Sequence, residues 1–162
     1  MRILVPVAVL VVAALIGITQ TVYTVDQTQQ AIITQFGQYQ RTVSNSGLHL
    51  KTPFVQTAHI LEKRLLRFDA TASEFLTQEK KALVIDSYAR YRIIDAKTFF
   101  EKVTTEAAAR ARLEAIVTSE LREEVATHDQ IEVIRDNREF LMAEVTERSD
   151  IKARDFGMEV VD

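Results

Sequence analysis

Between Ile3 and Val25 the chain carries no charged side chain, and Ile3 to Ile18 is an almost unbroken aliphatic run, ILVPVAVLVVAALIGI. Everything else about the molecule has to accommodate that segment. At 1.5 Å per residue, twenty-three helical residues span roughly 34 Å, enough for a hydrocarbon core about 30 Å thick with some tilt. The apolar side chains that would face lipid are Ile3, Leu4, Val5, Val7, Val9, Leu10, Val11, Val12, Leu15, Ile16 and Ile18. Pro6 stands near the start, where a missing N–H costs least, and Thr19, Gln20, Thr21 and Tyr23 supply a polar, aromatic exit suited to the headgroup zone. A buried core helix would need a soluble body able to surround it. A cleaved signal peptide would end on small residues at −3 and −1, which Gly17-Ile18-Thr19 matches poorly. The favoured reading is a retained signal-anchor over residues 1–25, followed by a body over 26–162. Arg2 precedes the span, whereas Asp26 follows it and the next cation is Arg41. The positive-inside rule then sets the N-terminus in the cytoplasm and the body outside it.

The body is of another texture. Of twenty basic and twenty-three acidic side chains only Arg2 lies in residues 1–25, which leaves a balance of −4 on a charge-dense, water-facing remainder. The net charge of −3 lacks the basic footprint of a nucleic-acid binder. The absence of cysteine excludes disulfides, thiol nucleophiles and Cys-ligated metals. Residues 26–70 carry Arg41, Lys51, Lys63, Arg64 and Arg67 against Asp26, Glu62 and Asp69, a balance of +2, whereas 71–162 is at −6. The positive part directly follows the span, so Lys51, Phe54, Lys63 and Arg64 are the candidate membrane-surface residues; a cation there gains on the order of 1 kcal/mol from an anionic leaflet. Chance clustering within a sheet explains the same asymmetry equally well.

Up to about residue 95 the pattern predicts strands. Gln30–Phe36 is β-rich and stops at Gly37; Ser44–Gly47 is a turn, and Leu48–Lys51 leads to a break at Pro53. A long strand is expected from Thr57 to Asp69, and another from Ala82 to Ile94. In the latter, Leu83, Ile85, Ala89, Tyr91 and Ile93 share one face, with Asp86, Tyr88, Arg90 and Arg92 on the other. Asp95 then caps a short helix carrying Phe99, Phe100 and Val103, and Thr104 or Thr105 caps a longer one. Leu113, Ile116, Val117, Leu121 and Val125 line its inner stripe, with Arg110, Glu114, Arg122 and Glu123 off it. A brief element falls near Ile131–Ile134. Asp136 is the candidate cap of a helix with Leu141 and Val145, which ends near Gly157 before a strand at Met158–Val161. Strands, then helices, then a strand make the fold class α+β, mostly antiparallel sheet followed by packed helices.

Catalytic constellations are weak. His49, His59 and His128 have no metal-ligand spacing. Neither G-x-S-x-G nor S-x-x-K occurs, and Ser119 and His128 share one helical region without further sign of a nucleophile. There is no glycine-rich phosphate loop. The pairs Glu123/Glu124 and Glu144/Glu147 alternate with arginines, as on a solvated helix face. No catalytic, cofactor or metal residue is assigned, and the expected function is non-enzymatic.

Val25 to Phe54, VDQTQQAIITQFGQYQRTVSNSGLHLKTPF, resembles the start of the SPFH, or band 7, family of stomatin, prohibitin, flotillin and HflK/HflC proteins. The carrying positions are Phe36-Gly37 and Gly47-Leu48-His49-Leu50-Lys51-Thr52-Pro53-Phe54. Ile85–Ile93 resembles that family's central strand, and Ala111-Arg112-Leu113 through Leu121-Arg122-Glu123 its helical portion. The span and the Tyr-Ala-Arg-Tyr-Arg-Ile run fit the bacterial HflK/HflC branch better than eukaryotic stomatin. The resemblance implies a membrane scaffold in which an HflC-like chain pairs with an HflK-like homologue, a hetero-oligomer that restrains an FtsH-like ATP-dependent membrane protease. A membrane-tethered hydrolase and a stomatin-like channel regulator are the alternatives. The family's coiled coil would show as a sustained apolar heptad, and none occurs before Asp162. With the apolar ending Glu159-Val160-Val161-Asp162, this gives the expectation of a C-terminally truncated chain whose next strand is missing.

Overall fold

The computed structural model describes residues 21–162. The anchor residues Ile3 to Ile18 lie outside the described part, and among the described residues no helix is long and apolar enough to cross a membrane. The chain divides into two compact units at Lys63/Arg64.

The first unit is all β: β1 (Val22–Val25), β2 (Gln29–Gln35), β3 (Gln38–Val43), β4 (Gly47–Leu50) and β5 (Gln56–Glu62). β2 is the centre of a three-stranded antiparallel sheet of order β3-β2-β5, while β1 and β4 form a separate antiparallel ribbon. The β-branched run Ile32-Ile33-Thr34 suits the central position because β2 is buried on both faces. On one face Ala31 and Ile33 pack against Val25, Tyr23, Val43 and Ala58. The ribbon begins at Val22, so the tail of the segment assigned from sequence to the anchor, Val22–Val25, is instead a strand paired with Gly47–Leu50.

The second unit carries β6 (Leu66–Asp69), β7 (Ser73–Leu76), β8 (Ala82–Ile85), β9 (Tyr88–Ile93), α1 (Ala96–Lys102), α2 (Glu106–Thr127), a single π-helical stretch (Glu132–Asp136), α3 (Arg138–Arg154) and β10 (Met158–Val160). β9 is central in an antiparallel sheet of order β10-β9-β6, and β7 pairs with β8. The α+β class holds. Ala89, Tyr91 and Ile93 point inward from β9, with Tyr91 edge-on to Phe68 at 6.1 Å, and they share the core with Leu113, Val117, Leu121 and Val125 of α2 and Leu141 and Val145 of α3.

Local chemistry explains the helix starts. Asp95 Oδ1 accepts the N–H groups of Lys97 (3.0 Å) and Thr98 (3.3 Å), and Thr105 Oγ1 accepts that of Ala108 (3.2 Å). Three expectations need correction. Thr57–Asp69 is two strands, β5 and β6, interrupted at Lys63–Leu65 and belonging to different units. Ala82–Ile94 is also two, because Asp86 and Ser87 leave the ladder and Ser87 O accepts the N–H of Ala70 at 2.9 Å. The N-cap position of the third helix is Asn137, one residue beyond Asp136 at the end of the π-helical stretch, and its side chain makes no capping hydrogen bond.

Candidate membrane-contact surface

Strand directions decide what gathers at each end of the first unit. β1 leaves Thr21, the first described residue after the aliphatic segment, and runs to a turn at Asp26–Thr28; β2 returns and ends at Gln35. Gln35 lies opposite Gln56, the first residue of β5, and Lys51 N–H donates to Thr21 O at 2.8 Å. One end of the unit therefore holds the entry from the aliphatic segment, the β2–β3 turn, Lys51 and the turn before β5.

The tips of both turns are phenylalanines. Phe36 is 82% exposed with φ +51°, and Phe54 is 81% exposed with φ +63°. Phe36 and Gly37 together have the positive-φ pair that a two-residue hairpin of type I′ needs, a position where Asn or Asp is ordinarily preferred. Phe54 sits in a tight turn closed by Gln56 N–H donating to Thr52 O at 3.0 Å. A bulky side chain at positive φ is a backbone outlier, and such strain concentrates at functional positions. In water each ring is disfavoured twice, by conformation and by exposure. Burying one in an apolar phase gains about 2 kcal/mol.

The flanking groups fit the edge of a bilayer. In the β1–β4 ribbon Val22 lies opposite Leu50 and Thr24 opposite Leu48, so Val22, Leu48 and Leu50 share the exposed face, while Tyr23 and Val25 turn inward. Arg41 donates to Leu50 O at 3.0 Å, bringing a second cation close to Lys51 in the chain trace.

The four surface residues expected from charge divide. Lys51 and Phe54 lie together at the entry end. Lys63 does not join them: β5 separates it from Phe54 by about 20 Å of strand, its N–H donates to Thr28 O at 2.8 Å and its ammonium to Ser44 O. Arg64 is the first residue of the second unit. The entry end also takes in Arg41, one of the cations of the basic stretch, together with Phe36, Leu48 and Leu50, which the charge pattern did not single out. Leu48 and Leu50 gather there through the register of the β1–β4 ribbon, which the sequence does not show.

The other chemistry-bearing residues are held in structural roles. His49 Nε2 bonds Asn45 O (2.8 Å), His59 Nε2 bonds Thr34 Oγ1 (3.2 Å), and His128 Nδ1 bonds Glu124 O (3.0 Å). Arg148 bridges α2 and α3, reaching Glu123 at 3.2 Å, Glu144 at 3.1 Å and Glu124 at 3.8 Å. Among the described residues no group of three or more His, Asp or Glu side chains is placed to hold a metal ion. The Tyr91 phenol is pushed up by burial, as a core tyrosine is.

Comparison with known proteins adds an independent line. The family model described as SPFH domain / Band 7 family matches residues 23–162. The chain is 30% identical over 145 residues to "Protein HflC" of Treponema pallidum (strain Nichols), covering 88% of this chain and 44% of that protein. It is 29% identical over 146 residues to "Modulator of FtsH protease HflC" of Escherichia coli (strain K12), with 84% and 43% covered. To "Protein HflC" of Borreliella burgdorferi it is 29% identical over 133 residues, with 81% and 41% covered. The chain thus spans less than half the length of the curated relatives it matches.

Proposed function

As the chain belongs to the SPFH/Band 7 family, we propose that it is a non-catalytic membrane scaffold that assembles with an HflK-like homologue and modulates an FtsH-like ATP-dependent membrane protease. The aliphatic segment, ending by Thr21 rather than at Val25, anchors it, and the chain from Val22 to Asp162 forms the family's domain, seated against the outer face of a bacterial inner membrane with the N-terminus cytoplasmic. The relatives named as HflC, one of them a modulator of FtsH protease, support the regulatory role. The observation that carries the membrane part is the pair of strained, exposed tips Phe36 and Phe54 at the end that receives the aliphatic segment.

Such a role needs no reacting group. Tethering confines each copy to two dimensions and raises its effective concentration for its neighbours. Heterologous packing of side faces then closes a ring where the rotation per subunit closes, and a ring of anchors governs which substrates reach an enclosed protease. Lys51 and Arg41 meet headgroups while Phe36 and Phe54 enter the interface, as aromatic and basic residues do at that depth.

The test is mild-detergent extraction of the membrane-expressed chain with mass measurement and partner identification, run beside the double variant Phe36→Asp/Phe54→Asp. Recovery of a large assembly containing a family homologue and an ATP-dependent protease, weakened in the double variant, is the expected result. A monodisperse monomer with no protease, or a co-purifying channel in its place, overturns the scaffold reading. Protease added to intact spheroplasts should digest the body; digestion only in inverted vesicles reverses the topology.

A further inference from the structure

α2 and α3 lie side by side. Arg148 reaches Glu123 at 3.2 Å and the Lys152 ammonium pairs with Glu120, so the two helices run antiparallel with those residues level. Opposite its buried stripe, each helix carries an exposed one at helical spacing. On α3 it is Phe140, Ala143, Glu147 and Ile151; on α2 it is Ala108, Ala111, Ala115, Ser119, Arg122 and Ala126. Phe140 and Ile151, 67% and 61% exposed, stand three turns apart, about 16 Å along the axis. Both line a hollow of about 470 Å³, together with Ala143, Glu144, Glu147 and Arg148.

The two stripes differ in size and sign. Among the described residues no cation pairs with Glu147 and no carboxylate with Arg122, whose guanidinium lies 5.8 Å from the centre of the Phe75 ring. The α2 stripe is mostly Ala and Ser, so the backbone of another helix can come close to it, and Arg122 is its bulky member. The α3 stripe is the converse, bulky and apolar at each end with a carboxylate between. An apolar ligand would cover Phe140 and Ile151 but leave Glu147 desolvated without a counter-charge, which is costly. A helix offering small residues and a cation meets both needs, and α2 of this chain is such a helix.

We propose that the outer surface of α2 and α3 is a self-association face whose occupant is a second copy of this chain, related by a two-fold axis that runs between and along the two helices. Such an axis sets α3 of each copy on α2 of the other and preserves level along the axis. The register then follows from the packing within one chain. Glu147 precedes Arg148 and so comes level with Glu124 of the second copy, two residues or about 3 Å along the axis from its Arg122. Around each helix, Glu123 and Arg148 mark the flank toward the sister helix, and Arg122 and Glu147 fall on the flank away from it. The two-fold axis therefore brings Arg122 and Glu147 to the same side. Ile151 comes level with Leu121 and meets the exposed Ser119 beside it. Because the contact is isologous, the Arg122–Glu147 pair forms twice. It joins two copies of one chain and adds to the homologue contacts of the proposed scaffold.

The experiment is sedimentation of the purified whole chain in mild detergent with no other protein present, so its outcome is independent of any homologue or protease. Glu147→Arg and Arg122→Glu are each expected to raise the dimer dissociation constant roughly ten-fold. The chain carrying both substitutions is expected to return to within about three-fold of the starting value, because the two charges are exchanged together. The absence of cysteine permits a second measurement. Chains bearing Ser119→Cys and Ile151→Cys, mixed and oxidised, should cross-link much faster than either alone, since like positions stand at least an interhelical spacing apart, about 8–10 Å, beyond disulfide reach. A chain that stays monomeric at all concentrations, a double variant no tighter than the single ones, or equal cross-linking in the three samples overturns the proposal.

Discussion

Gly157 occupies a position where the second unit can be tested with one methyl group. Its φ is +73°, its N–H donates to Arg154 O (3.0 Å) at the end of α3, and its carbonyl accepts the N–H groups of Ile94 (3.0 Å) and Asp95 (3.1 Å). One residue thus joins the end of α3, the end of β9 and the cap of α1. A Cβ placed there would overlap the carbonyl oxygen of Asp95, lie 2.9 Å from Phe99 N and 3.3 Å from Thr98 Cβ. The nearest two atoms are backbone, held by the Asp95 cap, so they have little room to yield. Gly157→Ala is then expected to cost about 1–2 kcal/mol for the left-handed conformation and about 1–3 kcal/mol more for forcing the backbone apart. Against a domain stability of about 5–15 kcal/mol that is a large fraction. Gly37→Ala is the control: φ is +81° there, but nothing lies within 4 Å of its Cβ, so only the conformational cost applies. Urea unfolding of both variants in detergent, followed by circular dichroism, measures the difference, with each unit's transition fitted separately if the two are resolved. A Gly157→Ala loss no larger than that of Gly37→Ala would refute the close-approach argument.

Two further expectations rest on the same unit. The Asp95 carboxyl is held below its ordinary range, chiefly by the Thr98 hydroxyl, and that of Glu114 likewise by the N–H of Thr71 (3.0 Å). Both are lowered on folding, so their stabilisation is complete above the ordinary carboxylate range, near pH 4, and is lost as pH falls through the folded values. Stability should be flat near neutrality and decline below about pH 4, less steeply in Asp95→Asn; an unchanged slope in that variant would assign the acid sensitivity elsewhere. Glu120 of α2 is only 2% exposed and is paired with the half-exposed Lys152 ammonium of α3. Lys152→Ala should cost about 2 kcal/mol, below the fully buried value because water reaches the ammonium side. Adding Glu120→Gln should recover part of that loss, and a second loss of equal size would show that the pair is not what matters.

The elements most legible in the sequence are those in which one physical cause dominates. Ala89, Tyr91 and Ile93 alternate because β9 has one covered face, and Asp95 and Thr105 announce their helices through side chains suited to N-caps. β3, QYQRTV, and β7, SEFL, carry little periodicity, because they are short strands whose places depend on their partners. The breaks at Lys63–Leu65 and Asp86–Ser87 were hidden for the reverse reason: their flanks continue a β-like pattern, and only pairing with different partners divides them. The entry end of the first unit was half legible. Charge pointed to Lys51 but also to Lys63, which strand direction carries to the opposite end of the sheet. Phe36 read as the last residue of a strand before the turn at Gly37; its positive φ and its exposure emerge only with the hairpin.

What the charged residues are already doing bears on the kind of function open to this body. Three cations of α3 are engaged in the fold: Arg148 with Glu123 and Glu144, Lys152 with Glu120, Arg154 with Asp150 and Glu159. On the sheet Arg90 and Arg92 are taken by Asp162 and Glu159. Groups locked in such pairs are poor acids, bases or nucleophiles, since a proton transfer would first have to break the pair. Large exposed apolar side chains stand beside these pairs among the described residues: the Phe36 and Phe54 tips, the Val22–Leu50 face, Val84 and the outward Phe140 and Ile151 of α3. Exposed apolar area is relieved by contact with lipid or polypeptide. Under the proposed scaffold role those exposed apolar surfaces are where contacts would form, and their positions would carry the specificity.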